Sequence, residues 1–203
     1  MSNEGLFFRA ATIEYETNDD YVPSSHVAKT LLSNSKFFDS VCDQWKNIYI
    51  IDKGNITLDN VVDYVERAKN DGLDISNIVI DYAQNLKNAE DIVHAMSMAR
   101  RFKDVAKRLG VIVFILMQTN KSLPDSYTEI KKNHIEGAGA YFQACDYIIA
   151  VWKSRDYHNR LHCKFLKERW GDSNFRFDFV RTGMKFHTAD YLPDKPIERE
   201  GYL

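Results

Sequence analysis

Asp81 closes the apolar run Ile78, Val79, Ile80 in the stretch NIVIDYAQNL, residues 77–86. Parallel sheets bind ligands at the carboxyl ends of their strands, and hard cations take oxygen ligands. A carboxylate at such an end can hold a Mg²⁺ that in turn holds a nucleotide phosphate. It can equally well be a plain turn or cap residue, and this stretch by itself leaves both readings open. Two further polar residues end apolar runs in the same way: Glu16 after GLFFRAATIEY, and Gln118 after VIVFILM. Polar side chains at several strand ends converge on one edge of a sheet, and that convergence is harder to dismiss than any one of them.

The elements that must carry these residues follow from the spacing of apolar positions. A β-branched run without alternation suits a strand covered on both faces, as in a parallel α/β sheet. Strands are expected over 5–16, 47–52 (NIYIID), 77–81, 111–118 and 145–151. Helices are expected between them. The first covers 22–32, with Ser24 or Ser25 near its N-cap and Val27, Leu31 and Leu32 on one face. The second starts after Thr57 as N-cap, carries Leu58, Val61, Val62, Val65 and Ala68, and closes at Gly72. The third covers 89–109, where Ala89, Ile92, Met96, Ala99, Phe102, Ala106 and Leu109 recur at helical spacing before Gly110. The polar stretch from Thr119 to Gly139 reads as a long loop, and loops of that length are commonly functional. From Arg160 onward the chain alternates (LHCKFL, FRFDFV), the pattern of antiparallel strands joined near Gly171. Strand alternating with helix is a doubly wound α/β pattern.

Composition sets the outer bounds. A chain of 203 residues with 44% hydrophobic and 28% charged content is expected to form one globular domain, 1–203. The net charge of −2 announces no nucleic-acid binder in bulk, although a groove can still concentrate basic residues on one face. Cys42, Cys145 and Cys163 are odd in number and widely spaced, which fits a reducing cytosol rather than a disulfide scaffold or zinc site. No run approaches the 18 apolar residues of a membrane span, and no basic region opens the chain as in a signal peptide.

With these residues in hand, the sequence resembles the ATPase domain of DnaB-type replicative DNA helicases, particularly those of phages, over roughly 3–186. IVIDYAQ at 78–84 is similar to the family's Walker B motif, and IEYET at 13–17 to the segment that carries its catalytic glutamate. LMQTNKS resembles the sensor segment, GAGAYFQACDYIIAV the segment that the family writes SGSIEQDAD, and KERWGD the KxR segment. The resemblance implies a RecA-like P-loop NTPase core: a mostly parallel sheet flanked by helices, with a C-terminal antiparallel hairpin. It implies ATP and Mg²⁺ as cofactors, with Asp81 holding Mg²⁺ through water and Glu16 orienting the attacking water. Glu14, one strand period away, could exchange with Glu16 in a slipped register. Gln118 would sense the γ-phosphate. Arg169, with Lys167 beside it, would reach the neighbouring subunit's nucleotide, although an arginine there is otherwise a solvated strand residue paired with Glu168 or Asp172. Lys121, Lys131, Lys132, Gly139 and Arg155 would line the single-stranded DNA channel, where contacts to phosphate are blind to sequence. A lysine pair in a loop is otherwise ordinary solvated surface. A homo-hexamer, a primase or loader partner, and the cytoplasm of a bacterial or phage-infected cell are implied with it.

One departure stands out: no GxxxxGK(S/T) occurs anywhere in the sequence. The missing first strand and phosphate loop are expected in mid-sheet, between the Asp81 and Gln118 strands. Losing four or five buried aliphatic side chains at about 1.5–3 kcal/mol each removes roughly 6 to 15 kcal/mol. That is comparable to the whole stability of a domain, about 5–15 kcal/mol. A split helicase completed by another chain, a mis-started reading frame and a decayed copy all fit, and retention of Glu16, Asp81, Gln118 and Arg169 favours the first two. A related RecA-fold ATPase (a recombinase or KaiC-like protein) and a non-enzymatic module binding DNA or helicase subunits remain alternatives.

Overall fold

The computed structural model describes residues 3–15, 24–83, 86, 92–135, 138–171, 175–182 and 185–188. They divide into two compact units, Met1–Lys53 with Ser154–His162 and Phe177–Leu203, and Gly54–Lys153 with Cys163–Arg176.

The first unit opens on three helices, α1 (Asn3–Tyr15), α2 (Ser24–Ser33) and α3 (Ser35–Trp45). The strand expected over 5–16 is therefore a helix through Tyr15, and Glu16 lies outside the described residues. Its aromatic and β-branched residues suggested a strand, but the segment lacks strict alternation. Phe7, Ala11 and Tyr15 instead form a row at helical spacing. Ala10 and Ala11, among the best helix formers, let α1 pack closely against Val27 of α2 and Val41 of α3. Thr12 donates its hydroxyl to the Phe8 carbonyl at 2.9 Å, so its burial leaves no unmet donor. Tyr15 meets the edges of His26 and Phe37 at 5.5 Å each. Asn34 caps α3 by accepting from the Phe37 amide at 3.1 Å. This helix was not expected, though its Phe37, Val41, Trp45 row follows a legible cap. The strand expected over 47–52 does not form either. Ile48, Tyr49, Ile50 and Ile51 stay exposed, and residues 48–52 form no strand.

The second unit holds the layered core. Helix α4 (Leu58–Asn70) starts on a capping box in which Thr57 Oγ1 accepts from the Asn60 amide at 3.2 Å. Asn60 Oδ1 returns the contact to the Thr57 amide at 3.1 Å. The helix ends at Gly72, whose φ of 88° a side chain would resist. Strand β1 (Asn77–Ile80) leads through Asp81 towards α5 (Ile92–Leu109), and β2 (Ile112–Ile115) follows. β1 and β2 pair directly, parallel and in register from Asn77 with Ile112 to Ile80 with Ile115. A missing strand therefore has no place between the Asp81 and Gln118 strands, since the ladder there is already closed. Ile78, Ile80, Val113 and Ile115 enter one core with Leu58, Val62 and Val65 of α4 and Ala99, Phe102 and Val105 of α5.

The stretch expected as one long loop is tied down by a bridge between Thr119 and Ile135 and a 3₁₀ turn, Lys132–His134. Helix α6 (Ala138–Ala144) packs on α5. A four-stranded sheet follows in the order β3 (Tyr147–Lys153), β4 (Arg160–Glu168), β5 (Arg176–Thr182), β6 (Lys185–Thr188). β5 and β6 are antiparallel. The Phe165 amide donates to the Phe175 carbonyl and the Arg181 amide to the Asn159 carbonyl, so β4 and β5 are antiparallel as well.

Candidate functional site

Asp81 and Gln118 leave the same edge of the parallel pair. The Leu116 amide donates to the Ile80 carbonyl at 3.0 Å and the Ala83 amide donates to the Leu116 carbonyl at 2.9 Å. The ladder thus brackets Asp81 on both sides, and Gln118 lies just beyond the shared rung. Both side chains are exposed. Alternation puts Asp81 on the face of Val79 and Gln118 on the face of Leu116, which the register makes one face. Ala83 and Leu86 are buried and joined by an amide-to-carbonyl bond of 3.1 Å, which anchors the chain leaving Asp81. Glu16, the third member of the expected convergence, lies outside the described residues. Glu14 is half-buried on α1, in the other unit. Glu14 lies on a helix rather than a strand, so the strand period behind its expected exchange with Glu16 is absent there.

The loop after Gln118 is closed at its base. The Asn120 amide donates to the His134 carbonyl at 2.8 Å, and the Asn120 side chain donates to the Asn133 carbonyl at 2.8 Å. These contacts bring the turn bearing Lys121 opposite Lys131 and Lys132, and all three lysines are exposed. Lys132 lies 4.8 Å over the Phe142 ring, so part of its charge is already engaged. Further along, Glu129 holds Lys164 at 3.1 Å and Arg176 at 2.7 Å, fastening the loop to β4 and β5. The hydrogen bond from Lys164, with the charge of Arg176, keeps its carboxyl below the ordinary range. Gly139 sits in α6 with open space around it, so no close approach of backbone dictates a glycine there. Arg155 is exposed in the turn after β3, in the other unit from these lysines.

A second cluster gathers at the carboxyl end of α6. Lys167 donates Nζ to the Phe142 carbonyl, and to the Cys145 carbonyl at 2.6 Å, a cation on the negative end of the helix. Burial pulls the pKa of this lysine down and pushes the neighbouring Cys145 thiol up. Arg169 stands just past β4, half-exposed, with Nε 3.1 Å from Asp146 and an Nη reaching the Gln143 carbonyl at 3.3 Å. Its described ion pair is with Asp146 rather than Glu168, and Asp172 lies outside the described residues. Asp146 also accepts from Lys103, and that hydrogen bond, with the charges of Arg169 and Lys167, holds its carboxyl below the usual range. Lys103 and Asp146 were not singled out as partners, because nothing local in the sequence links a position on α5 to one before β3.

The sequence model described as "DnaB-like helicase C terminal domain" matches residues 1–188. The chain belongs to the DnaB-like helicase C-terminal domain family. It is 27% identical over 128 residues to the replicative DNA helicase DnaB of Buchnera aphidicola subsp. Schizaphis graminum (strain Sg). That alignment covers 61% of this chain and 28% of the Buchnera protein. The fold matches a solved DnaB-like replicative helicase, described with its interactions with primase, at a TM-score of 0.70 and 16% identity. The superposition covers 92% of this chain and 48% of that one, so the chain spans less than half the length of the relatives it matches. The DnaB-like assignment agrees with an α/β architecture of RecA-like type, with a parallel pair, flanking helices and an antiparallel sheet. Among the described residues no helix is long and apolar enough to cross a membrane.

Proposed function

We propose that residues 1–203 act as part of the RecA-like ATPase domain of a replicative DNA helicase. It would couple ATP hydrolysis to translocation on single-stranded DNA when a segment bearing a phosphate loop completes it. The observation that supports this reading is the placement of Asp81 and Gln118 at one strand-end edge, beside a loop that presents Lys121, Lys131 and Lys132.

The residues present suit a hydrated Mg²⁺. One exposed carboxylate is what an ion bound mainly by water and nucleotide phosphates needs. Among the described residues, no group of three or more His, Cys, Asp and Glu side chains competes as a metal cage. A bound Mg²⁺ would supply charge neutralisation at the nucleotide phosphates. Asp81 would hold the ion through water, Glu16 would orient the attacking water, and Gln118 would report the state of the γ-phosphate to the basic loop. Arg169, beside Lys167, acts on the nucleotide of an adjacent copy in a homo-hexamer. Lys121, Lys131, Lys132, Gly139 and Arg155 contact DNA phosphates, and a primase or loader engages the assembled ring in the cytoplasm.

The test is ATPase activity of the chain co-purified with a completing fragment, measured with and without single-stranded DNA. DNA-stimulated hydrolysis abolished by Asp81→Asn is expected. No hydrolysis from a folded, co-purified complex would sink the reading. A second reading, a non-enzymatic module on DNA or helicase subunits, draws on the lack of GxxxxGK(S/T) in the sequence. It predicts single-strand affinity with a steep salt slope and no nucleotide dependence.

A further inference from the structure

Asp146 holds Arg169 twice. The Arg169 amide donates to the Asp146 carbonyl at 3.0 Å, and the guanidinium Nε stands 3.1 Å from Asp146 Oδ1. Two further contacts limit where the fork can turn: an Nη reaches the Gln143 carbonyl at 3.3 Å, and the Trp170 ring lies 6.0 Å away. Asp146 is held in its turn, because Lys103 of α5 donates to its other oxygen, Oδ2. Lys167, two residues before Arg169, fastens the end of β4 to the Phe142 and Cys145 carbonyls. The Lys103 and Asp146 side chains are 25% and 29% exposed against 40% for Arg169, so the holders are better shielded from water than the group they hold. An isolated surface ion pair contributes little, whereas a shielded network of several charges fixes geometry. A long side chain left to itself spreads over many rotamers, and a guanidinium fork serves phosphoryl transfer only when it is aimed.

We infer that Lys103 and Asp146 are positioning residues for Arg169. Lys103 fixes the Asp146 carboxylate, and that carboxylate sets the direction in which the guanidinium leaves the end of β4. Neither side chain is asked to touch a nucleotide. Helix α5 follows β1 and precedes β2 in the chain, so the aim of Arg169 is referred to the helix between the Asp81 and Gln118 strands. That Arg169 acts on the nucleotide of an adjacent copy rests on the proposed ATPase reading, whereas its positioning does not.

The hold on Arg169 is read from its Nε–Hε signal in nitrogen-15 NMR of residues 1–203, identified by its loss in Arg169→Lys. Lys103→Met and Asp146→Asn are expected to speed exchange of that proton with water by about tenfold or more, as loss of a charged partner implies. Lys103→Arg, which keeps the cation, should stay near the parent rate. In the complex with a completing fragment, Lys103→Met and Asp146→Asn should each lower kcat by about 10²-fold at unchanged KM. Lys103→Arg should keep most of the activity. Adding Lys103→Met to Arg169→Ala should cost nothing further, since the group it positions is gone. Should one variant fail to fold, the other, on a different element, carries the same test. An Nε–Hε proton indifferent to both variants, or a Lys103→Met loss that is the same with and without Arg169, overturns the proposal. Exchange that responds as expected, with no ATP hydrolysis by the parent complex, leaves the positioning standing and removes the ATPase reading instead.

Discussion

Asp146 shows what a single carboxylate does when two cations from different elements reach it. Lys103 comes from α5 and Arg169 from beyond β4, and with Glu129 between Lys164 and Arg176 they tie helices, loop and sheet together. Both carboxyls are held below their ordinary pKa in the folded chain. Their stabilisation is therefore fully present above the ordinary carboxylate range, near about 4, and is lost as pH falls through the lower folded values. Urea titrations between neutral and acid pH should show the chain weakening below about pH 4, with a flatter acid limb in Asp146→Asn and Glu129→Gln. Arg169 separates stability from chemistry. Its pair with Asp146 is half-exposed, so Arg169→Ala should cost the fold at most about 1 kcal/mol in a denaturant titration. Hydrolysis by the completed assembly should nonetheless fall by about 10³-fold or more if the guanidinium serves an adjacent site. Equal losses in both measurements would make Arg169 a structural residue.

Among the elements, those with explicit start and stop signals formed where expected. Thr57 and Asn60 satisfy each other's amides at the head of α4, and Thr57→Ala should cost about 1 kcal/mol of stability, read as a lower urea midpoint at unchanged slope. Gly72 and Gly110 end their helices with φ of 88° and 63°, as their places after the last apolar position implied. Helix α1 went the other way. Its aromatic and β-branched content suits a strand in isolation, but Ala10 and Ala11 against α2 and α3 give the helix a packing partner that a strand would lack. Residues 48–51 have strand-like composition and no ladder partner among the described residues, and without one no strand forms. The loop after Gln118 could not be read locally, since the groups that fasten it, His134, Lys164 and Arg176, lie well along the chain.

On the scale of the whole molecule, the net charge of −2 hides a local concentration of lysines around residues 121–132. If these meet phosphates, the triple variant Lys121→Ala, Lys131→Ala, Lys132→Ala should lose single-strand affinity. The slope of log affinity against log salt should also drop by about 2, at about 0.7 per contact. An unchanged slope in a fluorescence anisotropy titration would remove these lysines from the interface. What the sequence alone determined was the local part: apolar β-branched strands at β1 and β2 (though not the covering of both their faces), the capped α4, the periodic α5, the strand-end positions of Asp81 and Gln118, and the kinship with DnaB-like domains. Those signals are carried by neighbouring side chains, whose period and capping chemistry need no distant partner. Only the tertiary structure decided that β1 pairs directly with β2, that Asp146 reaches Arg169, and that among the described residues Val79, Ile112, Phe114 and Leu116 stay exposed. Each of these turns on which surfaces meet across long stretches of chain, and the free energy of such meetings is not written in any local pattern.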